Sequence, residues 1–191
     1  MGQLELSELM LVDQNLLNNY FANSWSSGNR WTITNTANIA SKIKLNESVL
    51  DVGCGYNPFK EYLGHRLYAF DPAINYGNEL CSLEEFDNDN KQWDVVLCMG
   101  SINFGTQEHV ESQIIKVVSL VKKGGRIYWR QNPGKADHDN DECKSVPFFE
   151  WTKEHNHSFA SKLECKVLEF VIDRHQTNSN KIRLYAEWHK L

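Results

Sequence analysis

Long apolar runs and a basic flank at the amino terminus are both missing from this sequence. Crossing a bilayer takes about 18–20 consecutive apolar residues, and no segment approaches that length. A signal peptide has a basic flank ahead of its apolar stretch, whereas this chain soon meets Glu8 and Asp13. We therefore expect a cytoplasmic protein without a signal peptide and without a membrane partner.

Closely spaced cysteines and long basic runs are missing as well. The five cysteines are scattered without a C-x-x-C pair, which suits reduced thiols better than disulfides or a zinc site. Acidic residues outnumber basic ones by 25 to 20, so nucleic acid is not excluded as a partner but is not favoured. The acidic segment 137–142 and the pair His155 and His157 lack the spacing of metal ligands, so no metal is expected.

The chain is long enough for one domain, because 191 residues of which 41% are hydrophobic can bury a substantial core. We interpret 1–191 as a single domain, with a helical cap and lid over 1–46 and a Rossmann-like core over 47–191. Apolar spacing predicts a first helix over 4–22. Thr34 or Thr36 is expected to cap a second helix that runs to about residue 44. Between the two helices, Arg30 and Trp31 either fold over a ligand or simply pack.

From residue 48 onward, short apolar runs alternate with helical segments, which indicates an α/β fold with a parallel sheet covered on both faces. The predicted strands are 49–52, 67–70, 94–98 and 126–129. The helical stripe 110–121 is expected to end at its following Lys-Lys-Gly-Gly sequence. After a helix over 152–163, strands 166–172 and 181–188 are expected to form an antiparallel hairpin at the sheet edge, with one wetter face.

The most informative segment is an apolar strand that runs directly into Gly53-Cys54-Gly55. Glycines permit a tight turn and a close approach of a ligand, although a G-x-G pattern alone is a weak signal. Asp51 lies within the preceding strand, where a buried carboxylate is costly unless a cation or a donor meets it. Asp71 follows the next strand, where it can accept hydrogen bonds from ribose hydroxyls or cap a helix. These features favour a nucleoside ligand that carries an amino group and no phosphate.

Two alternatives remain for this pattern, a domain without a ligand and a Rossmann oxidoreductase that binds NAD. Asp51 disfavours NAD because a carboxylate repels the phosphates that such a turn binds. Asn57 stands where a third glycine is expected in a dinucleotide-binding turn, and it disfavours NAD for that reason.

Four motifs taken together resemble those of the class I (Rossmann-like) S-adenosylmethionine (SAM)-dependent methyltransferases. They are Asp-Val-Gly-Cys-Gly at 51–55, Phe-Asp-Pro at 70–72, Trp-Asp-Val-Val at 93–96 and Lys-Gly-Gly at 123–125. The resemblance extends over about 45–190. It implies a doubly wound, mostly parallel seven-stranded sheet with a C-terminal antiparallel hairpin, helices on both faces and an N-terminal helical cap. It also implies SAM as cofactor and S-adenosylhomocysteine (SAH) as product.

The same resemblance implies roles for the residues of the glycine turn. Asp51 is expected to hold the methionine ammonium, directly or through water. Gly53, Cys54 and Gly55 are expected to line the turn beneath the methionine and the ribose. Asp71 is expected to bind the ribose hydroxyls.

Further cofactor contacts follow from the resemblance at the other strand ends. Pro72 is expected against the adenine face, and Cys81 and Ser82 beside the adenine. Gly100 and Ser101, just after the fourth strand, are expected to border the sulfonium.

The acceptor side carries Asn103 after the fourth strand and Arg130 and Asn132 after the fifth. We predict that these three residues orient the acceptor during catalysis, with an ordinary capped loop as the alternative. Positioning can supply most of the rate of an in-line methyl transfer, and a general base is needed only for a protonated nucleophile. The sequence therefore predicts a methyltransferase for a small-molecule or protein acceptor. A catalytically silent SAM-binding module is the alternative.

Overall fold

A computed structural model describes residues 13–24, 30–134 and 147–191. In chain order its helices and strands are α1 Gln14–Asn23, α2 Thr36–Ser41, β1 Val49–Val52, α3 Lys60–Leu63, β2 Leu67–Asp71, β3 Glu79–Leu80, β4 Trp93–Met99, α4 Gln107–Ser119, β5 Val121–Gln131, α5 Lys153–Lys162, β6 Cys165–Arg174 and β7 Ile182–Lys190. A short 3₁₀ turn, Gly64–Arg66, connects α3 to β2. No helix in the described ranges is long and apolar enough to cross a membrane.

The strands form one seven-stranded sheet with the order β3-β2-β1-β4-β5-β7-β6. Strands β1 to β5 run parallel, and β7 is antiparallel to both β5 and β6. The predicted doubly wound, mostly parallel sheet with a C-terminal antiparallel hairpin is confirmed. The strand order reverses between β1 and β4, and such a switch point opens a crevice beyond the carboxyl ends of the strands.

Hydrophobic clusters lie on both faces of this sheet. On one face, α4 and α5 pack over a core that includes Trp129 and Trp188. On the other face, α2 and α3 pack over a smaller core that includes Tyr128 and Tyr185. All four residues of β1 are buried, as expected for a central parallel strand. Helices on both faces are therefore confirmed.

The sequence analysis predicted that the helix over 110–121 stops at the Lys-Lys-Gly-Gly sequence that follows it, and this prediction is wrong. Helix α4 ends at Ser119, and the two glycines belong to β5, whose pairing with β4 shifts register between Trp93 and Val95. Gly124 has a φ of 79°, and a Cβ on Gly125 would lie 2.8 Å from the carbonyl oxygen of Asp94. The glycines therefore accommodate a local irregularity of the sheet instead of capping a helix.

The amino-terminal helices differ from the prediction at their ends. Helix α1 is capped by Asp13, and residues 4–12 of the predicted helix lie outside the described residues. Helix α2 is capped by Asn35, whose side chain accepts a hydrogen bond from the backbone of Asn38, so neither threonine is the cap. The helix also ends at Ser41, earlier than expected.

Candidate functional site

A cavity of about 610 Å³ lies at the carboxyl ends of β1, β2, β4 and β5. This volume falls within the range of about 300–1,000 Å³ that is typical of small-molecule sites. Among the predicted site residues, twelve line it: Asp51, Gly53, Cys54, Gly55, Asp71, Pro72, Ser82, Gly100, Ser101, Asn103, Arg130 and Asn132.

Cys81 does not line the cavity, so the structure does not place it with the other predicted cofactor residues. Strand β3 ends after Leu80, and the Cys81 side chain packs against the hydrophobic core beneath the sheet. Strand β3 has only two residues, so the sequence pattern around it could not show which of the following side chains faces the crevice.

The turn after β1 depends on its glycines. Gly53 and Gly55 have φ angles of 66° and 56°, a region that side chains other than glycine disfavour. A Cβ on Gly53 would overlap the Cβ of Ser101, so the turn and the loop after β4 approach each other closely only because residue 53 is glycine. The backbone N–H groups of Gly53 and Cys54 both donate to the carbonyl oxygen of Phe70, 3.0 Å away, which ties the turn to β2.

Asp71 connects the turns after β1 and β2. One carboxylate oxygen accepts the backbone N–H of Gly55 at 2.9 Å, and the other accepts those of Ala73 and Ile74 at 2.8 Å. A carboxylate offers about four acceptor positions, so about one remains for a ligand hydroxyl. The capping role and the ligand role that the sequence left open are thus compatible in one side chain.

Asp51 is a buried carboxylate with no hydrogen bond from any described residue. It is 2% exposed and lines the cavity. Burial raises the pKa of Asp51 to about 7; the positive charge of Arg130 opposes this rise, and the negative charge of Asp71 adds to it. The protein therefore holds, at neutral pH, a carboxyl group that is ready to ionise when a cation enters the cavity.

Arg130 lies on the same face of the sheet as Asp51. Its guanidinium donates to the carbonyl oxygen of Met99 and lies beside Gly100, where a Cβ would be 3.6 Å from Nη2. Burial lowers the pKa of Arg130 to about 10, while the negative charges of Asp51 and Asp173 raise it. Within the described residues no carboxylate lies at ion-pair distance from this guanidinium, so its charge remains available to a ligand.

The two predicted asparagines differ in what they can do. Asn103 donates to the carbonyl oxygen of Gly100 at 2.7 Å and accepts the backbone N–H of Asn132 at 2.9 Å, so its side chain is occupied in joining two loops. The buried Nδ2 of Asn132 has no hydrogen-bond partner among the described residues, and Asn132 lines the cavity. An unsatisfied buried donor is costly and points to a missing acceptor. Asn132 is therefore the better candidate for a ligand contact.

Sequence reasoning missed residues at both ends of the cavity. At the end beside β2, the Glu84 carboxylate accepts a hydrogen bond from the Gln113 side chain at 2.8 Å. The Nε2 atom of His109 lies 3.9 Å from the same carboxylate. His109 and Gln113 are four residues apart on α4, a spacing that places them on one helix face. At the other end the lining includes Lys181 and Arg183 of the hairpin, for which the sequence offers no signal.

The segment 30–36 is fastened to the end of β6. The buried carboxylate of Asp173 accepts the backbone N–H groups of Ile33 and Thr34, each at 2.8 Å, and the Thr34 hydroxyl at 2.7 Å. Trp31 forms a backbone bridge with His175. These contacts place Arg30 and Trp31 on the cavity wall.

No protein-family model and no curated protein sequence matches this chain. Solved structures do match it in fold. The 1,6-didemethyltoxoflavin-N1-methyltransferase of Burkholderia thailandensis, with bound 1,6-didemethyltoxoflavin and SAH, has a TM-score of 0.66 at 16% identity over 81% of this chain and 76% of its own.

Two further structures cover nearly the whole of both chains. The magnesium protoporphyrin IX methyltransferase of Synechocystis PCC 6803 with bound SAH has a TM-score of 0.66 at 13% identity, over 94% of this chain and all (100%) of its own. The N-methyltransferase NodS of Bradyrhizobium japonicum WM9 with SAH has a TM-score of 0.64 at 14% identity, over 93% and 97%. The chain therefore has the fold of the class I SAM-dependent methyltransferases. At these identities the likeness concerns the fold alone.

Proposed function

We propose that this protein binds SAM in the cavity and transfers its methyl group to an acceptor, most readily a small molecule. The observation that carries the proposal is the ionisable carboxyl of Asp51, buried without a hydrogen bond from the described residues and facing the cavity. An ammonium group is the natural partner of such a carboxylate. Arg130, whose charge acts on Asp51, is positioned to bind the carboxylate of the same amino-acid moiety.

The turn after β1 also fits a nucleoside better than a dinucleotide. A pyrophosphate site uses the N-terminus of a helix that follows the glycines at once. Here helix α3 has four residues and begins five residues after Gly55. Asp71 retains acceptor capacity for a ribose hydroxyl, and the buried carboxyl of Asp51 would repel a phosphate. These features support SAM over NAD as the cofactor.

The residues of the site contribute positioning and exclusion of water. Bound SAM supplies an electrophilic methyl group on a sulfonium, which is already a good leaving group. Gly53 and Ser101 bring the β1 turn and the β4 loop together, so little space remains for solvent between them. Asn132 offers an unsatisfied donor that can orient an acceptor atom. Orientation of this kind can account for a large part of a rate enhancement.

Calorimetry tests the cofactor assignment. We expect SAH and SAM to bind with micromolar affinity and NADH not to bind. Asp51→Asn should weaken SAH binding at least 30-fold, about 2 kcal/mol, because the neutral amide cannot pair with the ammonium. Asp94→Asn, which removes a carboxylate at the opposite end of the sheet, is the matched control and should leave the affinity unchanged. NADH binding, or full SAH affinity in Asp51→Asn, would refute the assignment.

Turnover separates an enzyme from a silent SAM-binding module. Incubation with methyl-labelled SAM and a fractionated extract should transfer label to an acceptor, and Arg130→Met should reduce the transfer. SAH binding without any transfer would support the silent module.

A further inference from the structure

Outside the glycine turn, much of the cavity lining consists of aromatic rings. Helix α1 contributes Tyr20 and Phe21, the segment 30–36 contributes Trp31, and the loop after β4 contributes Phe104. We call these four residues the aromatic wall. Tyr20, Trp31 and Phe104 are each less than a tenth exposed. Aromatic rings pack best against another ring, edge to face or offset and stacked, so this wall suits a planar aromatic ligand.

The rings of the aromatic wall are held by packing among themselves. The Phe21 ring meets the rings of Tyr20 and Phe104 edge-on, with centroids 5.1 and 5.6 Å away. Tyr20 and Phe104 also share one hydrophobic cluster with Leu17. Phe104 forms a backbone bridge with Phe148, which fixes the loop after β4. A ligand therefore meets side chains whose conformations are already set, which lowers the entropy lost on binding.

The cation beside the aromatic wall belongs to the fold. The Arg183 guanidinium lies over the ring of Trp31, with its Cζ 4.6 Å from the ring centre, in a cation–π contact. Arg183 also stands opposite the buried Asp173 in the register of β6 and β7. Arg183 thus has partners within the protein, and the wall does not require an anionic ligand.

A buried hydrogen-bond donor lies next to the aromatic wall. The backbone N–H of Asn132 donates at 2.9 Å to the side chain of Asn103, the residue that precedes Phe104. The Oδ1 atom of Asn132 accepts the backbone N–H of Gly134 at 3.4 Å, and Nδ2 is left without a partner. Asn132 is 3% exposed and lines the cavity. A ligand with an acceptor atom at this position would satisfy the donor.

We propose that the methyl acceptor is a small molecule with a planar aromatic ring that packs on the aromatic wall, and with a carbonyl oxygen or ring nitrogen that accepts a hydrogen bond from Asn132. This inference rests on the proposed function and names its substrate class. A few placed polar groups in an otherwise apolar pocket fix the orientation of a ligand, and Asn132 has this role here. A saturated molecule of the same size lacks the flat face that the rings contact.

The test uses three bicyclic probes with one carbon skeleton, titrated into the SAH-saturated protein and followed by ligand-observed NMR. The probe 1-tetralone has an aromatic ring and a carbonyl, 1-decalone has the carbonyl without the aromatic ring, and tetralin has the aromatic ring without the carbonyl. We expect 1-tetralone to bind about fivefold more tightly than each of the other two. Binding of 1-tetralone no tighter than that of 1-decalone or of tetralin would overturn the inference.

Substitutions locate the two contacts. Asn132→Leu should weaken 1-tetralone about tenfold and leave tetralin unchanged, because only the ketone uses the donor. Tyr20→Leu should weaken both aromatic probes about fivefold, because it removes a ring from the wall. Tyr62→Leu removes a tyrosine ring from the exposed surface of α3 and is the matched control, which should change neither affinity.

Each contrary outcome has a distinct meaning. Equal weakening of 1-tetralone and tetralin in Asn132→Leu, or a loss of SAH affinity as large as that of 1-tetralone, would overturn the role of Asn132. If Asn132→Leu does not fold, the isosteric Asn132→Asp removes the same donor and provides the same comparison. If SAH itself does not bind, the proposed function fails. A preference for 1-tetralone in the free protein would then support the aromatic site alone, and its absence would overturn both proposals.

Discussion

The charged residues at the two ends of the sheet differ in whether other side chains and backbone groups pair with them. At the amino end, Arg126 donates to both oxygens of Glu47 at 2.7–2.8 Å. Asp94 accepts hydrogen bonds from the backbone and hydroxyl of Ser48 and from Lys122, all within 2.8 Å. At the carboxyl end, the buried carboxyl of Asp51 has no comparable partner in the described part of the chain.

We interpret this difference as one between charges that stabilise the fold and a charge that a ligand would satisfy. Burial raises the pKa of Asp94, but its bonds to Lys122 and Ser48 outweigh burial and lower that pKa to about 2. The pKa of Asp51 is instead raised to about 7 because burial is not compensated. Residues that are already satisfied stabilise the fold, whereas unsatisfied ones are retained at a cost in stability, as is common where a ligand supplies the missing partner.

The largest effect that we expect at the carboxyl end of the sheet is the loss of SAH affinity when Gly53 is substituted. Gly53→Ala should lower SAH affinity at least 100-fold, because its Cβ would overlap Ser101 and push the turn and the loop apart. Gly64→Ala is the matched control, since Gly64 also has a positive φ, 59°, but no atom within 4 Å of a Cβ. It should destabilise the protein by about 1 kcal/mol without affecting SAH. Equal losses of affinity in both variants, measured by calorimetry, would contradict the close approach.

A smaller effect should appear in the pH dependence of SAH binding. Because the pKa of Asp51 is about 7 in the free protein, its carboxyl is mostly protonated below that pH and must ionise to pair with an ammonium. The affinity should therefore rise by up to about tenfold per unit as pH increases toward 7, and level off above it. Calorimetry at several pH values between 5.5 and 8.5 measures this rise. A flat profile would mean that Asp51 does not meet the cofactor's charge.

The smallest effect concerns the opposite pH dependence of stability at the two ends. A carboxyl with a lowered pKa, such as Asp94, stabilises the fold above about pH 4, and this contribution is lost as pH falls toward 2. A carboxyl with a raised pKa, such as Asp51, costs stability as pH rises from about 4 to 7. In chemical denaturation, Asp94→Asn should therefore lose about 1 kcal/mol at pH 7, a value reduced by its partial exposure. Asp51→Asn should lose no stability at pH 7. A larger loss in Asp51→Asn than in Asp94→Asn would refute the difference between the two ends of the sheet.

Much of the fold was predictable because strand and helix patterns are local. The apolar strands, the glycine turn and the hairpin are all encoded by neighbouring residues. The β5 glycines were misread because a helix stop and a sheet irregularity use the same residue type, and only the carbonyl of Asp94 opposite Gly125 distinguishes them. One face of the hairpin was expected to be wetter, but Tyr185, which alternates with the apolar residues of β7, is fully buried because helix α2 and Lys42 cover it.

The candidate site was predictable where it follows strand ends and hidden where it depends on distant packing. Asp51 and Asp71 stand next to recognisable turns, so their position was readable. The roles of Asn103 and Asn132 diverge only because one amide joins two loops that lie 29 residues apart in sequence. Arg183 reaches the cavity through the pairing of β7 with β5, a long-range register that no local pattern shows.

The anchoring of the segment 30–36 by Asp173 links two cavity walls that are distant in sequence. The Asp173 carboxylate accepts the backbone N–H groups of Ile33 and Thr34, Trp31 forms a backbone bridge with His175, and Asp173 pairs with Arg183 in the register of β6 and β7. The glycine turn after β1 stands apart from it. Substitutions in the hairpin can therefore reshape this wall of the cavity while the turn after β1 keeps its geometry. A protein built in this way can acquire new substrates by exchanging one loop.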